Sequence, residues 1–135
     1  ESLEIGKASV LREGADASII ACGVMVERAL EAAETLAAKG IDTMVIDMHT
    51  IKPIDREAII RAASRGAIVT AEDHSVMGGL GSAVAEVLVE EAPTMMRMIG
   101  VRDKFGESGS PMDIMDKMGL TSENIASKVV DLLSK

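Results

Sequence analysis

The amino-acid sequence predicts an α/β fold: a three-layer sandwich in which a mostly parallel sheet of about five strands carries helices on both faces. From residue 17 onward, short apolar runs typical of buried strands alternate with amphipathic, helix-like segments. The first three helical segments each end at glycine or proline. A length of 135 residues with 47% hydrophobic residues fits a single domain, residues 1–135, with a core of its own.

The first part of the chain predicts a strand, a turn, a second strand and a helix. Residues 7–11 alternate weakly and predict a short strand at a sheet edge, where it can run antiparallel to the others. Residues 12–16 predict a turn, and the apolar run 17–22 predicts a buried strand. A helix is expected over residues 24–39, where apolar residues recur at helical spacing, and Gly40 ends it.

The middle of the chain repeats this alternation. Residues 41–46 predict a third strand, with Asp47 near its end. After a connector, Asp55 is a favourable N-cap for a helix over residues 56–65, because its carboxylate can accept from free backbone N–H groups. Residues 67–71 predict a fourth strand.

The last part begins at a glycine turn. A helix is expected from near Gly79 to Glu91, and Pro93 precedes a fifth strand over residues 95–101. Ser110–Asp113 has the pattern of a helix start, with proline at the first helical position. Thr121 is expected to cap the final helix, whose inward residues are Ile125, Val129, Leu132 and Leu133.

Charge and composition exclude several classes of protein. The chain has 14 basic and 22 acidic residues, a formal net charge of −8, and its basic residues are scattered, so nucleic-acid binding is not expected. It has no apolar run of the roughly 18 residues that a membrane span needs, and its opening residues are not expected to be a signal peptide. One cysteine, Cys22, permits no internal disulfide, and a cytoplasmic location is expected. Because the chain begins with Glu1, we expect that something preceded it.

The types of residue that the chain contains also limit the kinds of ligand that it is expected to bind. One Phe and no Trp or Tyr argue against a stacked flavin or nucleobase, since aromatic side chains are the usual stacking surface. Ten Met residues are interpreted as core filler, because Met adapts to irregular gaps.

Three segments fall at the carboxyl ends of predicted strands, where open parallel sheets bind ligands. They are residues 22–24, residues 47–49 with Lys52, and residues 72–81. The third is the richest, and its candidate interface or anion-site residues are Glu72, Asp73, His74, Gly78, Gly79 and Gly81.

The glycines of this third segment have two interpretations. They can bind an anion at a helix N-terminus, whose free N–H groups and partial positive charge suit a phosphate. They can instead allow a tight turn and close packing of the helix on the sheet, and we favour this second interpretation. The pattern G-G-x-G is neither the dinucleotide fingerprint nor a P-loop.

Other candidate groups are less specific. His74, beside two acids, is a possible proton-transfer group or an interface residue. The two histidines, His49 and His74, lack metal-ligand spacing, so no metal site is expected. A nucleophilic role for Cys22 is disfavoured, because no Cys–His signature surrounds it. The polar segment 103–110, with the single aromatic Phe105, is either a contact loop or a plain surface loop.

Four stretches in order resemble the C-terminal domain of transketolase. They are Asp47–Asp55 (DMHTIKPID), Ala71–His74 (AEDH) with Gly78–Val84 (GGLGSAV), Val101–Gly109 (VRDKFGESG) and Met118–Thr121 (MGLT). The similarity covers nearly the whole chain and is greatest to transketolases made as two separate subunits. Related C-terminal domains occur in deoxyxylulose-phosphate synthase and in 2-oxoacid dehydrogenase beta subunits.

The resemblance implies transfer of a two-carbon ketol unit between sugar phosphates, as in the pentose phosphate pathway, with thiamine diphosphate and a divalent metal in the complete enzyme. The family builds that site from pyrimidine-binding and diphosphate-binding domains across a dimer interface. This chain has no G-D-G segment and lacks the aromatic residues that flank the pyrimidine. We therefore expect no catalytic or cofactor-binding residue here, no cofactor bound by this chain alone, and a role in homodimer assembly and domain packing.

Two further hypotheses remain open. The chain could be a regulatory domain that binds a small anion at the helix start between Gly78 and Gly81. Less favoured is a stand-alone enzyme that uses His74 or Cys22.

Overall fold

The structure, a computed structural model, describes residues 4–75, 78–101 and 115–135, with the backbone alone at residues 74 and 75. Its strands are β1 (Ser9–Arg12), β2 (Ala17–Ala21), β3 (Thr43–Asp47), β4 (Ile68–Ser75) and β5 (Met96–Val101). Its helices, besides a helical turn at residues 115–117, are α1 (Met25–Ala38), α2 (Arg56–Ala63), α3 (Leu80–Glu91) and α4 (Ser122–Leu133).

The strands form one sheet in the order β1-β3-β2-β4-β5. Strands β2 to β5 run parallel, whereas β1 runs antiparallel to β3, with Ser9 opposite Asp47. Parallel neighbours need crossover connections, and the helices between the strands supply them. The predicted α/β class, the mainly parallel sheet and the antiparallel edge strand are confirmed.

Two apolar clusters lie on opposite faces of the sheet and make the three layers. Adjacent residues of β2 point to opposite faces, so that Ile19 packs with α1 and α4 and Ile20 packs with α2 and α3. Both isoleucines are fully buried. The carboxyl ends of the parallel strands are thereby held at one rigid edge.

Two sequence-predicted caps are confirmed. The Asp55 carboxylate accepts from the Ala58 N–H at 3.1 Å, and the Thr121 hydroxyl accepts from the Asn124 N–H at 3.0 Å. Each bond satisfies a backbone donor that the first helical turn leaves without a partner.

Several predicted boundaries were wrong. Strand β4 continues to Ser75, four residues beyond the predicted end, so that Glu72–Ser75 is not a loop. Its apolar run ends at Ala71, but pairing with β5 resumes at Ser75 opposite Val101 after an irregularity. Strand β1 begins at Ser9 and includes Arg12, where a turn was predicted. Leu133, expected to point inward, is 42% exposed, because the burial of α4 ends with Leu132.

Smaller shifts affect other elements. Strand β3 begins at Thr43 and not at residue 41, and α1 begins at Met25 with Val24 as its N-cap. The helix start predicted at Ser110–Asp113 and the segment 103–110 with Phe105 lie outside the described residues. Within the described ranges, no helix is long and apolar enough to cross a membrane.

Candidate functional site

The three predicted segments meet at the carboxyl edge of the sheet. Ala21, the last residue of β2, pairs with Asp47 of β3 on one side and with Ala71 of β4 on the other. The Cys22 N–H donates to the Ala71 carbonyl at 3.2 Å. Cys22 therefore lies between the end of β3 and the Glu72–Asp73 pair of β4.

Glu72 is fully buried, and its carboxylate binds the N-terminus of α3. One oxygen accepts from the Leu80 N–H and the other from the Gly81 N–H, each at 2.8 Å. A carboxylate is stabilised here by two charge-assisted hydrogen bonds and by the helix dipole. Glu72 therefore occupies two of the backbone N–H groups that an external anion would use at this helix start.

Gly81 brings α3 onto the sheet, which is the structural role favoured from the sequence. A Cβ at this position would lie 2.7 Å from the Met98 sulfur and 3.1 Å from the Thr70 hydroxyl oxygen. Its φ does not fall in the left-handed region, so close approach, not conformation, is the reason for glycine. Gly78, by contrast, has φ +76° in the turn before the helix, and Gly79 is the N-cap.

Asp73 lies on the other side of the site, toward α1. Its Oδ1 atom would be 3.2 Å from a Cβ on Gly23, a residue with φ +62°. Gly23 thus lets the chain turn into α1 beside the Asp73 carboxylate. Glu72 and Asp73, adjacent in sequence, therefore lie beside the starts of two different helices on opposite faces of the sheet, and Glu72 is bonded to the start of its helix.

Cys22 is only 9% exposed, and its surroundings disfavour a thiolate. Burial, followed by the negative charges of Glu72, Asp73 and Asp47, raises the pKa of the thiol from an ordinary 9.0 to about 11. The nucleophile in cysteine chemistry is the thiolate, which this site suppresses at neutral pH. The geometry gives no support to a catalytic role for Cys22.

The histidines occupy different places. His49 follows β3 and its Nε2 atom donates to the Glu4 carbonyl at 3.2 Å. The backbone of His74 belongs to β4, and the proton-transfer hypothesis for its side chain stays a prediction. Over the described ranges, no three histidine, cysteine or acidic residues are grouped so that they could hold a metal ion.

A shallow groove of about 270 Å³ lies between the β3–α2 connector and the start of α3. Lys52 lines it, but so do Glu86 and Glu90. At its floor the Gly78 N–H donates to the Ser82 hydroxyl at 3.2 Å. Arg56 also lines the groove but is ion-paired with Glu90 and Glu91. An anion would therefore meet two cations beside two acids, and a Gly78 N–H that already has a partner.

Comparison with known proteins identifies the family. The family model described as "Transketolase, C-terminal domain" matches residues 6–125. The chain belongs to the transketolase C-terminal domain family. The resemblance seen in the sequence motifs is thereby confirmed.

Relatives of this domain include proteins of two kinds. A 6-deoxy-6-sulfo-D-fructose transketolase subunit from Clostridium sp. (strain MSTE9) is 52% identical over 126 residues, which cover 93% of this chain and 39% of the relative. A 1-deoxy-D-xylulose-5-phosphate synthase from Geobacter sulfurreducens is 44% identical over 128 residues, covering 93% of this chain and 20% of the relative.

A solved structure shares the fold closely. It is that of a "split gene transketolase, inactive beta4 tetramer", with 50% sequence identity and a TM-score of 0.94. The match covers 98% of this chain and 44% of that one. This transketolase C-terminal domain thus spans less than half the length of the relatives it matches.

Thiamine diphosphate, which the family implies for the complete enzyme, does not fit the described residues of this domain. At the carboxyl edge of the sheet the side chains around Cys22 are acidic: Asp47, Glu72 and Asp73. Carboxylates repel a diphosphate, and Glu72 already binds the N–H pair at the α3 start. No step of the reaction is assigned to this domain.

Two features of the site were not apparent from the sequence. The pairing of Glu72 with α3 joins residues eight and nine positions apart, and only the fold brings them together. The second oxygen of Asp55 accepts from the Ala8 N–H at 2.8 Å, across 47 positions. The only sequence signal for the pairing of Glu72 with α3 is a carboxylate before a glycine turn. The bond between Asp55 and Ala8 has no signal in the sequence.

Proposed function

We propose that this domain serves a thiamine-diphosphate-dependent enzyme of the transketolase type as a packing and assembly domain and takes no part in the chemistry. The observation that carries the proposal is that a side chain of the domain itself, the Glu72 carboxylate, binds the N-terminus of α3. Because the domain's own buried Glu72 accepts from the Leu80 and Gly81 N–H groups, the start of α3 serves stability and not ligand exchange.

The complete enzyme in this proposal transfers a two-carbon ketol unit between sugar phosphates in the cytoplasm, in the manner of the pentose phosphate pathway. Its partners are pyrimidine-binding and diphosphate-binding domains, on the same polypeptide or on another subunit, in a homodimer or a multiple of one. The relatives support this, since both the transketolase subunit and the split-gene structure extend well beyond the matched region.

The contact surface in this proposal is the carboxyl edge of the sheet. Of the residues singled out in the sequence, Asp73, His74, Gly78 and Gly79 form it in this proposal, whereas Glu72 and Gly81 are buried and hold the edge in place. Loops and strand ends on a rigid scaffold are where contacts concentrate. The exposed turn at Gly78 and the half-buried Asp73 are available to a neighbouring domain, whereas Glu72 supports them from beneath.

Calorimetric titration of the isolated domain with thiamine diphosphate and magnesium tests the non-catalytic part of the proposal. We expect no saturable heat, because the chain has no G-D-G segment and its described carboxyl edge is acidic. Saturable binding at micromolar concentration would contradict it. The same titration with inorganic phosphate tests the alternative of a small-anion regulatory domain.

A second candidate function is favoured by one observation, the 44% identity to a 1-deoxy-D-xylulose-5-phosphate synthase. The packing role of the domain is the same in that case, and only the reaction of the complete enzyme differs. Assaying the complete enzyme for ketol transfer between sugar phosphates and, separately, for formation of 1-deoxy-D-xylulose 5-phosphate distinguishes the two.

A further inference from the structure

Residues 4–8 are fastened to the connector that follows β3. The Ala8 N–H donates to Asp55 Oδ2 at 2.8 Å, and the Glu4 carbonyl accepts from His49 Nε2 at 3.2 Å. A Cβ on Gly6 would meet the Pro53 ring at 3.2 Å, which places this backbone directly against the connector. We call the contacts of residues 4–8 with residues 49–55 the clasp.

The direction of β1 decides where the clasp lies. Because β1 is antiparallel to β3, its first residue, Ser9, pairs with Asp47 at the carboxyl end of β3. The segment before β1 therefore arrives at the same edge of the sheet as Cys22, Glu72 and Asp73. Had β1 been parallel, the preceding chain would have arrived at the opposite edge.

Asp55 links the clasp to the helical layer. Its Oδ1 atom caps α2 through the Ala58 N–H at 3.1 Å, while its Oδ2 atom holds the Ala8 N–H. The next residue, Arg56, forms ion pairs with Glu90 and Glu91 at the end of α3. One carboxylate thus ties the incoming segment to α2, which in turn contacts α3.

We propose that Asp55 is a positioning residue that fixes the direction in which the preceding part of the polypeptide joins this domain. This inference rests on the proposed function, in the form in which at least one partner domain precedes this domain on the same polypeptide. A linker held only at β1 could pivot about Lys7 and Ala8. The clasp removes that freedom and presents the preceding domain to the carboxyl edge of the sheet.

The test uses the complete polypeptide and the variant Asp55→Asn. Asn caps helices as well as Asp does, so its oxygen can keep the Ala58 bond. Its amide nitrogen then faces the Ala8 N–H, and two donors cannot bond. We expect hydrogen exchange at the Ala8 amide to accelerate by about tenfold or more, the factor that corresponds to about 1.4 kcal/mol. Exchange at the Ala58 amide should stay within about twofold of the wild-type rate.

The deciding measurement is the distance distribution between spin labels on this domain and on the preceding part. One label is attached at Lys39→Cys, on the exposed end of α1. We expect Asp55→Asn to broaden the distribution. A second variant, Ala8→Pro, removes the donor itself and leaves the helix cap intact, and we expect the same broadening.

Asp42→Asn is the matched control. Asp42 also accepts from a backbone N–H, that of Ala15 at 3.1 Å, but it precedes β3 and so lies at the opposite edge of the sheet. We expect this variant to leave the distance distribution unchanged. An unchanged distribution in both Asp55→Asn and Ala8→Pro would overturn the proposal. Absence of ketol transfer in the assembled wild-type enzyme would refute the proposed reaction, whereas the distances would still test the clasp.

Discussion

Glu72 is completely buried, and both of its carboxylate oxygens have backbone partners at 2.8 Å. A buried charge is tolerated only where hydrogen bonds replace its hydration. Here the first turn of α3 supplies both the donors and a favourable dipole. The helix start and the carboxylate therefore stabilise each other. Without the other, each would be a buried polar group that lacks a hydrogen-bond partner.

Replacing Glu72 by Gln tests this account. The Gln side chain keeps the size but offers one oxygen to two N–H groups, and its amide nitrogen leaves the second donor unsatisfied. We expect the free energy of unfolding to fall by about 2 kcal/mol, the scale of a hydrogen bond to a charged group. Chemical denaturation measures it, with Glu86→Gln as the control. Glu86 is exposed on the same helix, so its replacement should change stability by less than about 0.5 kcal/mol.

The pKa of Cys22 gives a pH-dependent expectation. A raised pKa means that the thiol keeps its proton up to about pH 11. The alkylation rate of the folded domain should therefore keep rising about tenfold per pH unit through pH 10, because the thiolate fraction grows by that factor below the pKa. The denatured chain is the matched control, and its rate should level off near pH 9. A folded-state rate that levels off below pH 9 would contradict the assignment.

At the scale of residues, the sequence was enough to predict where the candidate site lies, but not which contacts its side chains make. The segment from Glu72 to Gly81 was predicted at a strand end, and Gly81 was expected to bring a helix onto the sheet, which the approach of Met98 confirms. The capping role of Glu72 could not be predicted, because it depends on how β4 is placed against α3. Asp55 was predicted as a cap, but its bond to Ala8 joins two distant elements.

Strand β4 illustrates the same limit for whole elements. Its first half is recognisable in the sequence, since residues 67–71 (AIVTA) form a mostly apolar run. Its polar second half is a strand only because β5 offers Val101 as a partner for Ser75. Local patterns predicted α2 and its cap well, because Asp55 directly precedes the helix. The helix ends at Ala63, two residues before the predicted end.

The packing of α3 on β5 predicts how Gly81 tolerates substitution. Gly81→Val adds atoms where a Cβ alone would lie 2.7 Å from the Met98 sulfur. We expect a loss of stability of about 1–3 kcal/mol, the usual cost of overpacking a core. Met98→Ala removes the obstructing atoms, so the double variant should be less destabilised than the sum of the two single variants. Strict additivity in a double-mutant cycle by thermal or chemical denaturation would show that this contact is not the cause.

For the whole molecule, the alternation of strands and helices was enough to predict the α/β class, and four motifs were enough to predict the family. The strand order β1-β3-β2-β4-β5 was not predicted, because it depends on contacts between elements far apart in the chain. That order brings Asp47, Cys22 and Glu72 to adjacent strand ends. The candidate site therefore depends on the order of the strands as well as on the sequence motifs.

An assembly domain and a catalytic domain respond differently to substitution at their contact surface. If the carboxyl edge of the sheet serves assembly, His74→Ala should weaken association and leave the chemical step unchanged. Activity would then fall at low protein concentration and recover as the concentration rises, because association follows mass action. A catalytic role would instead lower kcat at every concentration.

The pH–rate profile of the assembled enzyme with His74→Ala, recorded at low and at saturating protein concentration, tests the assembly role most directly. At saturating concentration we expect both limbs of the profile to match those of the wild type, with reduced activity only under dilution. Loss of one ionisation limb while the enzyme stays assembled would make His74 an acid–base group. That result would contradict a purely structural role for this domain.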